Sequence, residues 1–194
     1  MLDRFLDALT GRRVGGALFV LAGIVVAIAV LSARGGGDGK RGAVQRVRIV
    51  SVPQLGLTFA YPATWSRDVS GTVIRLRAPR SVAVMTFASP VEGRYDARLK
   101  ADTLAALRKR YAPAKVLRDG PAKLGARKVT SFELRGTGSR GEVVRALALV
   151  GSSDYRTYVV TLITPGRPSA RALAQAQQVL ATVRLPKPGP ASKR

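Results

Sequence analysis

Short stretches in which apolar and polar residues alternate recur through the middle of the chain, and this period of two predicts β-strands. In Val73–Arg77, two apolar residues alternate with Arg75 and Arg77, as in a strand with one buried face and one solvated face. Glycine- and serine-rich segments between successive strands predict hairpin turns, and therefore an antiparallel sheet. The other segments with strand patterns are Val82–Ala88, Lys128–Arg135, Val143–Val150 and Tyr155–Thr164.

Two segments have the period of an amphipathic helix, Asp96–Tyr111 and Pro168–Val183. The first ends in Arg108, Lys109 and Arg110, which is the charge that the C-terminus of a helix dipole favours. The second begins with a proline, which is well tolerated in the first turn. Because strands that are apolar on both sides need cover on both sides, we expect an α+β fold: an antiparallel β-sheet with helices on both faces, an α/β/α sandwich.

The aromatic residues concentrate in the stretch LTFAYPATW, which contains Phe59, Tyr61 and Trp65, the only tryptophan of the chain. The alternation stops at Pro62, which fixes its own torsion and favours an extended conformation for the residue before it. We expect a turn after Pro62 that folds Trp65 back over the strand. These four residues would then form a corner of the core, although Tyr61 and Trp65 also suit stacking on a ligand.

This order of elements resembles the PsbP/Mog1-like superfamily, which includes small membrane-attached proteins and lipoproteins of bacteria. The resemblance covers roughly Val52–Leu185 and rests on the Y-P-x-x-W corner, a strand hairpin, a helix, three strands and a closing helix followed by ATVRL. It implies an α/β/α sandwich and a non-catalytic role as a binding or assembly factor for other proteins. It offers no shared catalytic motif to carry over onto this sequence. The lipoprotein members need an acylated cysteine, which this chain lacks.

An apolar segment near the N-terminus, residues 14–32, runs for 19 residues without a charge. As a helix it would be about 28 Å long, which nearly spans a bilayer, so we expect a transmembrane anchor. A cleaved signal peptide is the alternative. The remaining expected units are a short N-terminal tail (1–13), a flexible tether rich in Gly and Arg (33–48), the globular domain (49–185) and a Pro-rich basic tail (186–194).

The composition is strongly basic, with 33 Lys and Arg against 11 Asp and Glu and a net charge of +22. Such a charge attracts anionic partners without distinguishing them, although a coding bias toward arginine is an alternative source. The chain has no His and no Cys, which removes the commonest general base, the commonest zinc ligand and any disulfide. We therefore expect no catalytic, metal-binding or cofactor-binding residues. The candidate contacts to an anionic partner are Arg75, Arg77, Arg108, Lys109 and Arg110.

The preferred function is a membrane-anchored, extracytoplasmic interaction or assembly domain that binds an envelope protein or an anionic envelope component. The protein would be single-pass in the cell membrane, with its oligomeric state left open.

The alternative is a cytoplasm-facing basic domain that binds nucleic acid or acidic lipid. The five Lys and Arg that follow the span, against three before it, favour that topology. Long downstream domains are translocated largely regardless of charge, however, and no nucleic-acid module is apparent. An unfamiliar hydrolase or isomerase is a third reading.

Overall fold

The computed structural model of the chain describes residues 46–89, 97–152 and 156–185. The expected anchor at 14–32 and the two tails lie outside these residues. In the part described, no helix is both long enough and apolar enough to cross a bilayer. The elements in chain order are β1 (Val47–Val52), β2 (Leu57–Pro62), β3 (Ser66–Ser70), β4 (Val73–Arg77), β5 (Val84–Ala88), α1 (Ala97–Arg110), β6 (Lys115–Leu124), β7 (Arg127–Thr137), β8 (Val143–Ser152), β9 (Thr157–Pro165) and α2 (Ala170–Thr182).

The main sheet has seven strands in the order β3-β4-β5-β9-β8-β7-β6, and every neighbouring pair is antiparallel. Strands β1 and β2 form a separate antiparallel pair, and α2 packs against β2. An antiparallel sheet with two helices is therefore confirmed as the architecture of the domain.

The two faces of the main sheet bury different groups of side chains. On one face, α1 places Leu107 and Tyr111 against Phe132 of β7 and its neighbours on β8. The other face is covered by the β1–β2 pair and α2. Successive residues of β9 show the division, because Val159 belongs to the first cluster and Val160 to the second.

The aromatic corner lies in the second cluster. Trp65 is 1% exposed, and its Nε1 donates a hydrogen bond to Gln175 Oε1 of α2 over 3.2 Å. The backbone N–H of Trp65 donates to the carbonyl of Pro62 over 2.9 Å, which closes the turn. Phe59 stacks on Phe87 of β5 with 4.6 Å between ring centroids, and Tyr61 is buried. The corner thus joins the small sheet, the main sheet and α2.

The described fold includes two residues that the sequence pattern placed in the tether. Strand β1 starts at Val47, which pairs with Pro62, and the carbonyl of Arg46 accepts a hydrogen bond from the backbone of Ala63 over 2.9 Å. The last two residues of the expected tether, 47 and 48, therefore belong to the fold. These two residues are part of the fold because they pair with β2. The sequence around them has the composition of a linker, so the pattern did not indicate a strand there.

Four strands separate the two helices, whereas the sequence predicted three. The missing one is β6, whose side chains are mostly exposed and whose sequence contains Gly120 and Pro121. Its pairing with β7 is interrupted by a register shift between Val116 and Arg118. Such a strand has no regular alternation to detect, and its position depends on β7. The fully exposed strand β3 was missed for the same reason.

Candidate anion-binding site

A groove of about 230 Å³ opens on the sheet face that carries α1. Helix α1 contacts β7 and β8, so β4, β5 and β9 form the floor beside it. The wall on the helix side consists of Leu107, Arg110 and Tyr111. Among the described residues, no Asp or Glu lines this groove. The floor residues are Arg75, Arg77, Val84, Thr86, Thr161 and Ile163.

Strand register places three polar residues in one row across the floor, the polar row. Arg75 of β4 pairs with Thr86 of β5, and Thr86 pairs with Thr161 of β9. Both threonines are buried, at 5% and 2% exposed, and Arg75 is half-buried. The row therefore brings two hydroxyl groups and one guanidinium to the same side of the sheet.

A second row, the apolar row, lies two residues further along the strands. Arg77 pairs with Val84, and Val84 pairs with Ile163. Two residues of a strand span about 6.6–6.8 Å, which separates the two rows. Each row thus begins with an arginine on β4, but only the first continues with hydroxyl groups.

Arg75 carries a partly buried positive charge on the floor of the groove. Burial lowers the pKa of this residue, and the positive charges of Arg77 and Arg110 lower it further. Asp68, which pairs with Arg75 across β3 and β4, acts in the opposite direction. Because a guanidinium stays charged in proteins, the lowered pKa reflects the partial burial of the Arg75 charge beside two other cations of the groove.

Arg110 is held in place on the helix side of the groove. Its Nε donates a hydrogen bond to the hydroxyl of Tyr111 over 3.2 Å, and its guanidinium carbon lies 5.4 Å from the centroid of that ring. Tyr111 is in turn seated on β7, where its carbonyl accepts a hydrogen bond from the backbone of Thr137 over 3.0 Å. Gly136 permits this close approach, because a Cβ there would lie 2.8 Å from the Cβ of Tyr111 and closer still to its carbonyl oxygen.

The structure divides the five basic residues that the sequence singled out. Arg75 and Arg77 on β4 and Arg110 at the end of α1 line one groove. Arg108 and Lys109 are exposed and do not line it. The sequence did not identify Thr86, Thr161 or Tyr111, because their place in the groove depends on strand register and on the seating of α1.

The loop from β4 to β5 contributes a strained backbone at the edge of the groove. Arg80 and Ser81 have φ values of 56° and 52°, in the left-handed region that L residues rarely adopt. Each such residue costs on the order of 1–3 kcal/mol and persists only where its surroundings impose it. Ser81 lines the groove directly. Strain of this kind is more frequent at ligand sites than elsewhere.

A second cavity, of about 290 Å³, lies on the opposite face between the sheet and α2. Its lining includes Arg118 and the ion pair between Glu133 and Arg145. The Nε of Arg145 is buried without a hydrogen bond among the described residues. Two arginines line this cavity, and the negative charge of Glu133 offsets one of them. The cavity is therefore a poorer anion site than the groove.

Comparisons with known proteins bear on the fold alone. No protein-family model matches the chain, and no curated protein matches it. The solution structure of cyanobacterial PsbP (CyanoP) from Synechocystis sp. PCC 6803 matches with a TM-score of 0.52 and 14% identity, over 77% of this chain and 98% of that one. The domain therefore has a PsbP-like fold, which confirms the fold that the sequence resemblance implied.

Two further solved structures give lower scores. A protein from Bacteroides thetaiotaomicron matches with a TM-score of 0.49 and 12% identity, over 68% of this chain and 46% of that one. The chain thus spans less than half the length of that protein. A Mog1 mutant matches with a TM-score of 0.44 and 10% identity, over 70% of this chain and 86% of that one.

Proposed function

We propose that the chain is a membrane-anchored, non-catalytic interaction or assembly protein whose domain binds an anionic partner in the cell envelope through the groove between β4 and α1. The observation that carries the proposal is the placement of arginines on both sides of one groove, with Arg75 and Arg77 on β4 and Arg110 on the opposite side. If composition alone made the surface basic, arginines from distant parts of the chain would have no reason to line the same groove.

The chemistry of the groove supports binding rather than catalysis. Its polar groups are guanidinium and hydroxyl groups, which donate hydrogen bonds and positive charge but do not act as bases near neutral pH without a partner. The chain offers no histidine or cysteine for that purpose. Within the described ranges, no cluster of three or more carboxylates could hold a metal ion.

The apolar segment 14–32 supports the membrane anchor, and the resemblance to exported bacterial proteins supports a domain outside the cytoplasm. A reporter enzyme that is active only outside the cytoplasm, fused after Arg194, tests this topology. We expect activity from the fusion. A silent fusion, together with activity of a reporter that works only inside, would favour the alternative of a cytoplasm-facing domain that binds nucleic acid or acidic lipid.

The groove itself is tested with the full-length protein in nonionic detergent and polyglutamate as a generic polyanion. We expect Arg75→Gln and Arg110→Gln to weaken binding strongly, and the matched control Arg108→Gln to have little effect, although each variant removes one charge. Equal losses in all three variants would show that net charge, not the groove, attracts the polymer, and would contradict the proposal.

A further inference from the structure

We infer that the groove recognises an extended acidic segment of a partner protein, with a carboxylate on the polar row and an apolar side chain two residues away on the apolar row. This inference rests on the proposed function and specifies its ligand. It follows from the size of the groove, the arrangement of its charges and the spacing of its two rows.

The size of the groove favours side chains over a complete small molecule. Its volume is about 230 Å³, whereas sites for cofactors and drug-sized ligands measure about 300–1,000 Å³. A groove below that range has room for one or two side chains presented by a larger molecule. Its floor is formed by three neighbouring strands of the sheet, which suits an extended segment.

The charges of the groove suit a carboxylate. Arg75 approaches from β4 and Arg110 from α1, and the charge of Arg110 contributes to the lowered pKa of Arg75. A carboxylate between them would accept hydrogen bonds from two guanidinium groups, whose planar geometry matches its two oxygens. The buried residues Thr86 and Thr161 continue the same row, which places their hydroxyl groups on the same side of the sheet as Arg75.

The second row joins Arg77 to the apolar residues Val84 and Ile163, which favours a ligand with an apolar group beside its anionic group. Val84 and Ile163 offer nothing to a free phosphate or to a nucleic-acid backbone, and beside them Leu107 extends the apolar surface. Base stacking needs exposed aromatic rings, but Tyr111, the aromatic residue that lines the groove, is 8% exposed. An apolar side chain is the complementary group.

The distance between the rows fixes the spacing of the two recognised side chains. In an extended segment, side chains on the same face are two residues apart, or about 6.6–6.8 Å, which equals the separation of the rows. A segment that runs along the strands would therefore place residue i on the polar row and residue i+2 on the apolar row.

The test uses full-length protein in nonionic detergent and short Gly/Ser peptides, each with one Glu and one Leu, with binding followed by saturation-transfer NMR of the peptide. One peptide has the Leu two positions from the Glu, others have it one or three positions away, and a further peptide has Gln for Glu. We expect the two-position peptide to bind best and the Gln peptide to lose binding.

The variants identify the groups that bind. Arg75→Gln and Arg110→Gln should each weaken the two-position peptide by about tenfold or more, as expected for lost hydrogen bonds to a charged group. Arg108→Gln should bind normally. Val84→Thr should reduce the preference for the two-position spacing while leaving the dependence on Glu. Thermal melting of each variant verifies that it is folded.

Two outcomes separate failure of this inference from failure of the proposed function. If inorganic phosphate or an oligonucleotide competes through Arg75 and Arg110 while Leu spacing has no effect, the groove is an anion site but not a reader of acidic segments. The inference would then be wrong and the proposed function would stand. If no anionic probe, polyglutamate included, depends on Arg75 or Arg110, both are wrong.

Discussion

Arg110 lies over the ring of Tyr111, with 5.4 Å between its guanidinium carbon and the ring centroid, and it donates a hydrogen bond to the hydroxyl of the same residue over 3.2 Å. The two residues are adjacent in sequence, at the end of α1. Cation–π attraction and a hydrogen bond together limit the rotamers of a long side chain that is otherwise free to move. Tyr111 therefore positions Arg110 before any ligand arrives.

Tyr111→Phe removes the acceptor of this hydrogen bond and keeps the ring. We expect polyglutamate binding to fall by about threefold or more, because Arg110 must then be ordered on binding, while the free energy of unfolding changes by less than about 1 kcal/mol. Tyr158→Phe is the matched control. It removes a buried hydrogen bond of 3.0 Å to the carbonyl of Leu55 on the other face, so it should lower stability by about 1–3 kcal/mol and leave binding unchanged. The reverse pattern in the two variants would contradict this role of Tyr111.

Gly136→Ala tests the seating of α1 on β7. The added methyl group would overlap the backbone of Tyr111, so we expect a loss of about 1–3 kcal/mol in the free energy of unfolding, together with weaker binding in the groove. Gly120→Ala on β6 is the control, since its added Cβ has no neighbour within 4 Å, and it should change stability by no more than about 0.5 kcal/mol. Urea denaturation measures both. A tolerated alanine at 136 would mean that the helix end can shift freely.

Trp65→Ala should destabilise the domain by about 3–5 kcal/mol, because this side chain is among the largest that are fully buried. Fluorescence provides the measurement, since the chain has a single tryptophan. The native protein should emit at short wavelength and resist quenching, and the emission should shift to longer wavelength on unfolding. Red-shifted, easily quenched emission from the folded protein would instead place Trp65 at the surface and return it to the candidate ligand contacts.

The full chain should stay in the membrane fraction after a wash in high salt. The screening length falls to about 3 Å at 1 M salt, so contacts between exposed arginines and lipid head groups are lost, whereas an apolar span is unaffected. Deletion of residues 14–32 should release the domain under the same wash. Release of the intact chain by salt alone would show that the basic residues hold it and that the apolar segment does not.

The alternating pattern of β4 was sufficient to place Arg75 and Arg77 on one face of a strand, because alternation is a local property. The pairing of Thr86 with Thr161 could not be derived in the same way, since β5 and β9 are distant in the chain and continuous apolar runs do not specify a register. The three consecutive basic residues at the end of α1 could be recognised from the sequence as a group. Which member faces the groove depends on the seating of Tyr111 against Gly136, a tertiary contact with no local signature.

Strand β6 ends one side of the described sheet with features that oppose association of one copy with another. Its proline removes a backbone donor, its lysines at positions 115 and 123 are exposed, and its pairing with β7 contains a register shift. Natural sheets protect their outermost strands from aggregation by these means. The irregularity that hides β6 from a pattern-based prediction is therefore of the kind that keeps an outermost strand from pairing with the strand of another chain.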